Sequence, residues 1–400
     1  MSKDALIGKN IVLGVTGCIA AYKSAFLLRT LVSGGASVKV VMTPAATKFI
    51  TPLTLSSLSK NKVIVNIFPE PTLDNTDLST WHIDLAQWAD LILIAPATIN
   101  SIAKIAHGFA DNALTTLISA SRSPIVIAPA ADIDMYQNQV TKENITKLET
   151  LGYYIIHAEE GELASGLTGI GRLADINKIT DAVELVLTGY KKDFSGKKIL
   201  VTAGATYEDI DPVRYIGNRS SGKMGFSLAK SAYLRGADVT LITGPSNEFA
   251  YPEIKRIDVR SAEQMLKTVV KELKQNNILI MAAAVADYKP DRVSSNKIKR
   301  SNQVKDIKIT ETQDILASIT DENKKIVGFA LETDNELANA KKKLKAKKLD
   351  MIVLNSLKDK KSGFEFDTNK VTIIKKNGRS LKLPLQSKFQ IANKILSELL

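Results

Sequence analysis

The chain has 400 residues, 44% of them apolar, a net charge of +12 and one cysteine, Cys18. That length exceeds one ordinary core and predicts two domains of roughly 150–200 residues. A lone cysteine excludes a disulfide framework and a cysteine-rich metal site, and no apolar stretch reaches the roughly 18–20 residues that cross a bilayer. The opening segment MSKDALIGKNIVLGVTG has no cleavable leader pattern, so a reducing cytoplasm is expected. Its apolar run instead predicts a strand over Ile11–Thr16, followed by strands at Ser37–Thr43, Asp90–Ala95, Pro124–Ala128 and Tyr153–His157. Ser24–Ser33 between the first two reads as a helix that Gly34-Gly35 can stop. β-branched runs alternating with helical patterns indicate βαβ units around a parallel sheet.

The polar, glycine-bearing stretch Leu187–Lys198 places a domain boundary near residue 190. Beyond it the same grammar returns, with strands at Lys198–Ala203, Ala237–Thr243, Ile278–Ala284, Ile326–Ala330, Met351–Asn355 and Val371–Lys375. Helices are expected at Lys223–Arg235, Ala262–Gln275, Asn335–Lys348 and from Gln386. Lys289–Asp306 is lysine- and serine-rich and reads as a long functional loop. Charge divides at the boundary. Residues 1–190 hold 14 Lys and Arg against 17 Asp and Glu, and residues 191–400 hold 40 against 25. A basic half attracts polyanions, yet no zinc-finger spacing, RNP-type stretch or basic heptad region is present. A nucleoside triphosphate is a better expectation than nucleic acid.

In the first half, Gly14–Lys23 leaves a strand and enters a helix, where glycines and a helix N-terminus favour a phosphate. The spacing is not G-x-G-x-x-G, and no acidic residue follows the second strand to hold a ribose, so a mononucleotide fits better than a dinucleotide. By itself this loop is equally compatible with a structural βα turn. The segment Ala95–Lys104, APATINSIAK, follows a buried strand at the carboxyl edge where open α/β sheets bind ligands. With Thr43 and His82-Ile83-Asp84-Leu85, these residues closely resemble the FMN-dependent cysteine decarboxylases, phosphopantothenoylcysteine decarboxylase among them, over about residues 9–185. The resemblance implies a flavodoxin-like or Rossmann-like half holding FMN through Gly17, Thr43, Pro96, Thr98 and Asn100, with His82 in the active site. Two positions depart from the family pattern. Asp132 stands where an asparagine contacts the substrate carboxylate, and Ser165 stands where a cysteine donates a proton. An ionised Asp132 would repel a carboxylate unless Lys or Arg lies close, and a serine hydroxyl is a far weaker acid than a thiol of pKa about 8.5. His107 and His157 lack motif context and read as structural; Trp81 and Trp88 read as core or interface anchors, and Asp111-Asn112 as a helix cap.

In the second half, Asp211–Gly225 reads DPVRYIGNRSSGKMG, with small hydroxyl residues, glycines and a lysine entering a helix. Such a set can cradle an anion, but it is not a Walker loop, because Met224 follows Lys223. This string, Ala282–Tyr288, Lys297–Lys299, Gly328–Thr333 and Ala340–Asp350 closely resemble, in order, phosphopantothenate–cysteine ligase. The resemblance implies a Rossmann-like ligase half in which CTP activates 4′-phosphopantothenate as an acyl-cytidylate that cysteine then displaces, with Mg²⁺ on the nucleotide phosphates. Ala283, Asp287, Lys297, Asp314, Phe329, Lys343 and Lys347 are its implied nucleotide contacts, two of the lysines at i, i+4 spacing. Asn218 is the implied active-site asparagine, hydrogen-bonding the acyl carbonyl.

The expectation is therefore an α/β chain of two domains, residues 1–190 and 191–400, performing consecutive coenzyme A steps on small-molecule substrates. No protein metal ligands, nucleic acid or membrane is expected, and homo-oligomers (trimers, dimers or a dodecamer) are implied. An alternative keeps the ligase and makes the first half a non-catalytic flavin-binding or assembly module.

Overall fold

The computed structural model describes residues 4–68, 80–299, 306–319, 323–332, 334–356, 363 and 366–400. It divides between Tyr190 and Lys191 into two compact units. In the first, strands β1 (Asn10–Val15), β2 (Ser37–Met42), β3 (Leu91–Ala97), β4 (Ile125–Pro129) and β5 (Tyr154–Ile155) form a parallel sheet ordered β2-β1-β3-β4-β5. Every residue of β3 and β4 is buried, as strands covered on both faces demand. The helices are α1 (Lys23–Ser33), α2 (Pro52–Ser59), α3 (Trp81–Trp88), α4 (Ile99–Ala106), α5 (Ala113–Ala120), α6 (Ile133–Gln137), α7 (Gln139–Thr150) and α8 (Ile176–Leu187). Strand order reverses between β1 and β3, the switch point at which such sheets take ligands. The sequence gives no sign of the antiparallel hairpin β6 (Glu159–Glu162) and β7 (Thr168–Arg172). Its strands are acidic or glycine-rich, without the alternation that marks a strand.

The second unit holds β8 (Lys198–Ala203), β9 (Tyr207–Asp209), β10 (Tyr215–Gly217), α9 (Lys223–Leu234), β11 (Asp238–Thr243), β12 (Lys255–Asp258), α10 (Ala262–Leu273) and β13 (Ile278–Met281). There follow β14 (Tyr288–Pro290), β15 (Ile309–Glu311), β16 (Lys325–Glu332), α11 (Glu336–Ala346), β17 (Met351–Ser356), β18 (Thr368–Asn369), β19 (Val371–Lys375), β20 (Ser380–Lys382), β21 (Gln386–Ser387) and α12 (Lys388–Ser397). The main sheet runs β12-β11-β8-β13-β16-β17-β19-β20, with β19 and β20 antiparallel. Its first six strands follow the doubly wound Rossmann order, and the reversal lies between β8 and β13.

Three expectations change here. The strand predicted to Ala284 ends at Met281, because the Ala283 and Ala284 N–H groups donate instead to Thr202 Oγ1 (3.2 Å) and the Gly204 carbonyl (2.8 Å). The last helix starts at Lys388 rather than Gln386, since Gln386–Ser387 pairs with Thr368–Asn369 and the Ser387 hydroxyl caps Gln390 N–H at 3.2 Å. The predicted loop Lys289–Asp306 is closed at its base, where β14 pairs with β15, while residues 300–305 lie outside the described residues.

Arg235 closes α9 and is fully buried. Its guanidinium donates to both Asp193 carboxylate oxygens (2.7 and 2.6 Å), to the Asn393 carbonyl (2.8 Å) and to Ser397 Oγ (3.1 Å). It also lies 4.9 Å from the Phe194 ring centroid. One cation thus ties the start of this unit to α9 and α12. Among the described residues, no helix is long and apolar enough to cross a membrane.

Candidate active sites

The first site forms where β1 and β3 end. Thr16, just past β1, donates its hydroxyl to the Pro96 carbonyl and accepts Thr98 N–H, both at 2.8 Å. The next residue, Gly17, passes so close to Ala45 that a Cβ on it would lie 2.6 Å from Ala45 Cβ. No larger residue fits that crossing. A cavity of about 1120 Å³ opens here, lined by Gly17, Thr43, Thr98, Asn100, Asp132 and Arg172 among others. Four of the five expected flavin contacts line it; Pro96 lies outside the lining and acts through its carbonyl on Thr16.

Thr43 Oγ1 is buried without a hydrogen-bond partner. Such an orphan costs about 1–3 kcal/mol, and a polar ligand atom in the cavity would satisfy it. The cavity's size, that hydroxyl and the basic Lys23 and Arg172 on the lining fit a flavin mononucleotide. Burial, then the Arg172 charge, push the Lys23 pKa down against Glu159 and Asp175. Burial also pushes the Cys18 thiol up, with the Ala20 and Ala21 N–H groups opposing. Lys104 pairs with Asp111 and holds its carboxyl below the usual range. Beside it the Asn112 side chain caps α5, accepting Leu114 and Thr115 N–H at 3.1 Å.

His82 sits near the start of α3, edge-on to Trp81 at 5.6 Å, and is not on the lining. Trp81 and Trp88 pack against the core. His107 bonds Asn144 (3.0 Å) and His157 bonds Tyr136 (3.3 Å), away from the cavity. Asp132 and Ser165, separately noted in the sequence, are in contact: the Ser165 hydroxyl donates to Asp132 Oδ2. Lys23 and Arg172 were missed because an isolated basic residue ordinarily reads as solvated surface.

The second site lies at the β8/β13 reversal. A cavity of about 690 Å³ is lined by Asn218, Ala283, Asp287, Phe329, Lys343 and Lys347, together with Asp314 and the Ser220–Gly225 turn. Lys343 Nζ donates to the Phe329 carbonyl at 3.4 Å. Lys347, just past α11, pairs with Asp314. Burial pushes the Asp314 carboxyl up, but Lys347, the Ala317 N–H and the Lys343 charge outweigh it and hold it below the usual range.

Lys297 is not on this lining. The Asp211 carboxylate accepts Ile298 N–H (3.1 Å) and Arg214 donates to the Ile298 carbonyl (2.8 Å), so the DPVR turn pins the loop and leaves Lys297 exposed. Asn218 donates its amide hydrogens to the Ala284 (3.3 Å) and Val285 (3.0 Å) carbonyls. What it has left to offer a substrate is its amide oxygen, an acceptor. Among the described residues, no group of three or more His, Cys, Asp or Glu could hold a metal.

The sequence did not single out Lys388. It is buried on this lining, and its Nζ donates to the Gly363 carbonyl at 2.9 Å. Burial, then the nearby Lys223 charge, push it down to about 8, against Asp367 and Glu248. Lys223 itself pairs with Asp367 at 2.8 Å. Raising the pH through about 8 removes this positive charge from the cavity, so pyrophosphate is expected to bind more weakly at pH 9 than at pH 7. Calorimetric titration checks this, and equal affinities at the two pH values would refute it. Stability runs the other way. Between about 8 and the ordinary 10.5 the unfolded chain binds this proton more tightly, so the group's contribution to stability rises with pH.

Two family models cover the chain: one described as Flavoprotein matches residues 2–188, and one described as DNA/pantothenate metabolism flavoprotein C-terminal domain matches residues 194–400. The coenzyme A biosynthesis bifunctional protein CoaBC of Borreliella burgdorferi is 45% identical over 397 residues, spanning 97% of this chain and 98% of its own length. The chain belongs to the family of bifunctional coenzyme A biosynthesis proteins. A cysteine/cysteine sulfinic acid decarboxylase from an unknown prokaryotic organism is 46% identical over 88% of this chain and 99% of its own length. Among solved structures, the C-terminal domain of a CoaBC protein is 37% identical, covering 52% of this chain and 96% of that one with a TM-score of 0.45. Each of the two family models takes in one of the cavities and the motif that lines it.

Proposed function

We propose that this enzyme joins cysteine to 4′-phosphopantothenate in residues 191–400, using CTP, and decarboxylates the product to 4′-phosphopantetheine in residues 1–190, using FMN. The observation that carries this is one motif-lined cavity at the sheet reversal of each unit, in a chain matched almost end to end by bifunctional coenzyme A biosynthesis proteins. A non-catalytic first half is not favoured, because both halves of the chain lie within that match.

In the ligase half, Lys343 and Lys347 face a triphosphate and offset the charge that builds on it during attack by the carboxylate. Magnesium arrives with the nucleotide as part of the substrate. Asn218 holds the Ala284–Val285 turn through its amide hydrogens and offers its oxygen to the incoming amine of cysteine. This reverses the expected role as donor to an acyl carbonyl. In the decarboxylase half, Thr43, Thr98, Asn100 and the Gly17 turn hold the flavin, and Lys23 and Arg172 give countercharge to anionic groups. Bound FMN would supply the oxidation of the substrate that makes CO₂ a leaving group, and the reversal of that oxidation. Assembly into homo-oligomers and a cytoplasmic location complete the proposal.

The test is product analysis after giving the full chain phosphopantothenate, CTP, Mg²⁺ and cysteine. 4′-Phosphopantetheine is the expected product. Accumulation of the cysteine adduct would leave only the ligase, and absence of the adduct would remove both activities.

A further inference from the structure

We propose that Asp132 is the acid that protonates the substrate carbon after CO₂ leaves, and that Ser165 is the residue that positions it. The proposal rests on the first half being a decarboxylase. Breaking the bond to CO₂ leaves an electron pair on the carbon, and a proton must be delivered there from the cavity wall. Asp132 is on that wall, with one carboxylate oxygen, Oδ2, held by the Ser165 hydroxyl. The other oxygen makes no side-chain bond among those described.

The contact is built into the fold. Ala131 N–H donates to the Gly171 carbonyl at 3.0 Å, and Asp132 accepts Tyr136 N–H at 2.9 Å through its backbone carbonyl. A Cβ on Gly171 would lie 2.3 Å from the Ala131 carbonyl oxygen, and one on Gly169 would lie 2.1 Å from Ile133 Cδ1. The hairpin β6–β7 therefore lies directly on residues 131–133, and its turn carries Ser165 to Asp132. Glycine at 171 is what lets two backbones approach this closely.

A serine hydroxyl suits this partner for a specific reason. It donates to a carboxylate and accepts from a carboxylic acid, so the same contact survives as Asp132 loses and regains its proton. Several other ionisable groups on the lining are engaged elsewhere, and Tyr22 and Glu162, which also line it, lack the hydroxyl contact that holds Asp132. Asp111 is held as a carboxylate by Lys104, Cys18 accepts backbone N–H groups, and an arginine does not release its proton. Lys23 and Arg172 remain to face the substrate's own negative charge, which Asp132 cannot do. In the step proposed, the carbon–carboxylate bond breaks, CO₂ departs, and the electron pair forms a C–H bond with the Asp132 carboxyl proton. Asp132 is left as a carboxylate bonded to Ser165, and solvent, which reaches the exposed Ser165 turn, restores the proton.

The experiment gives flavin-loaded full-length chain phosphopantothenoylcysteine and follows CO₂, product mass and the flavin spectrum together. Asp132→Asn is expected to keep its flavin and to form saturated product about 10²-fold more slowly, the size of an acid-catalysis effect. A product two hydrogens lighter should accumulate with the flavin left reduced. Asp132→Glu should restore part of the rate. Ser165→Ala is expected to slow saturated product about tenfold, to shift the pH profile of that step, and to move the Asp132 carboxyl band in isotope-edited infrared spectra. Saturated product from Asp132→Asn within about threefold of the unmodified rate would overturn the proposal, being far below an acid-catalysis effect. An unmoved pH profile and carboxyl band in Ser165→Ala would overturn the positioning role, and do so even should Asp132→Asn fail to fold. No CO₂ from the unmodified chain would instead defeat the decarboxylase proposal itself, and this one with it.

Discussion

Replacing Asn218 with alanine is expected to cut phosphopantothenoylcysteine synthesis about 10²–10³-fold, the loss seen when one preorganised polar group is removed from a reacting centre. Two effects combine. The substitution removes the oxygen proposed to accept from the cysteine amine. It also frees the Val285 carbonyl (3.0 Å) and takes one of two donors from the Ala284 carbonyl (3.3 Å), which keeps the Thr206 N–H. Asn218→Asp separates them. It retains the acceptor but sets a carboxylate against both carbonyls and adds negative charge to a cavity meant for a triphosphate, so it should be no better than alanine. Decarboxylation of supplied phosphopantothenoylcysteine provides the control in the same molecule, because every described lining residue of that cavity lies before residue 190. Synthesis by Asn218→Ala within a few-fold of the unmodified rate would remove this residue from the chemistry.

The largest stability loss is expected at a position outside both sites. Asp193→Ala strips the bidentate partner from Arg235, a guanidinium with no solvent exposure. Breaking a fully buried pair on one side costs about 3–5 kcal/mol, and Asp193 here is 33% exposed. The Asn393 carbonyl and Ser397 hydroxyl retain two of its bonds, which argues for the lower part of that range. Denaturant unfolding followed by ligase activity would show it as a fall in midpoint. Replacing Arg235 and Asp193 together with apolar residues of similar volume should recover much of the loss. A midpoint unchanged in Asp193→Ala would mean that water or another group solvates Arg235.

Strand positions were legible wherever burial on two faces forces a continuous apolar run, as in β3, β4, β8 and β11. Motif residues that end those strands came with them, which is why Gly17, Thr98, Asn218, Ala283 and Phe329 fall on the cavity linings. Groups brought in by irregular segments were not legible. Arg172 sits on a glycine-rich strand, and Lys388 starts a helix where a basic residue has no local signature. Lys297 shows a different limit. Its segment was identified, but the Asp211–Arg214 clamp, formed between residues far apart in the chain, decides which way the loop faces. Nor could spacing reveal that Asp132 and Ser165 touch, since the turn of an unforeseen hairpin joins them.

That contact couples positions 132 and 165, although 33 residues separate them. Changing Asp132 alone leaves the Ser165 hydroxyl only the Leu167 N–H at 3.4 Å, and changing Ser165 alone removes the hydroxyl that holds the Asp132 carboxylate. Selection on one codon is therefore expected to depend on the state of the other. Lineages carrying aspartate at the first position are expected to carry serine at the second, with mixed pairs rare and short-lived.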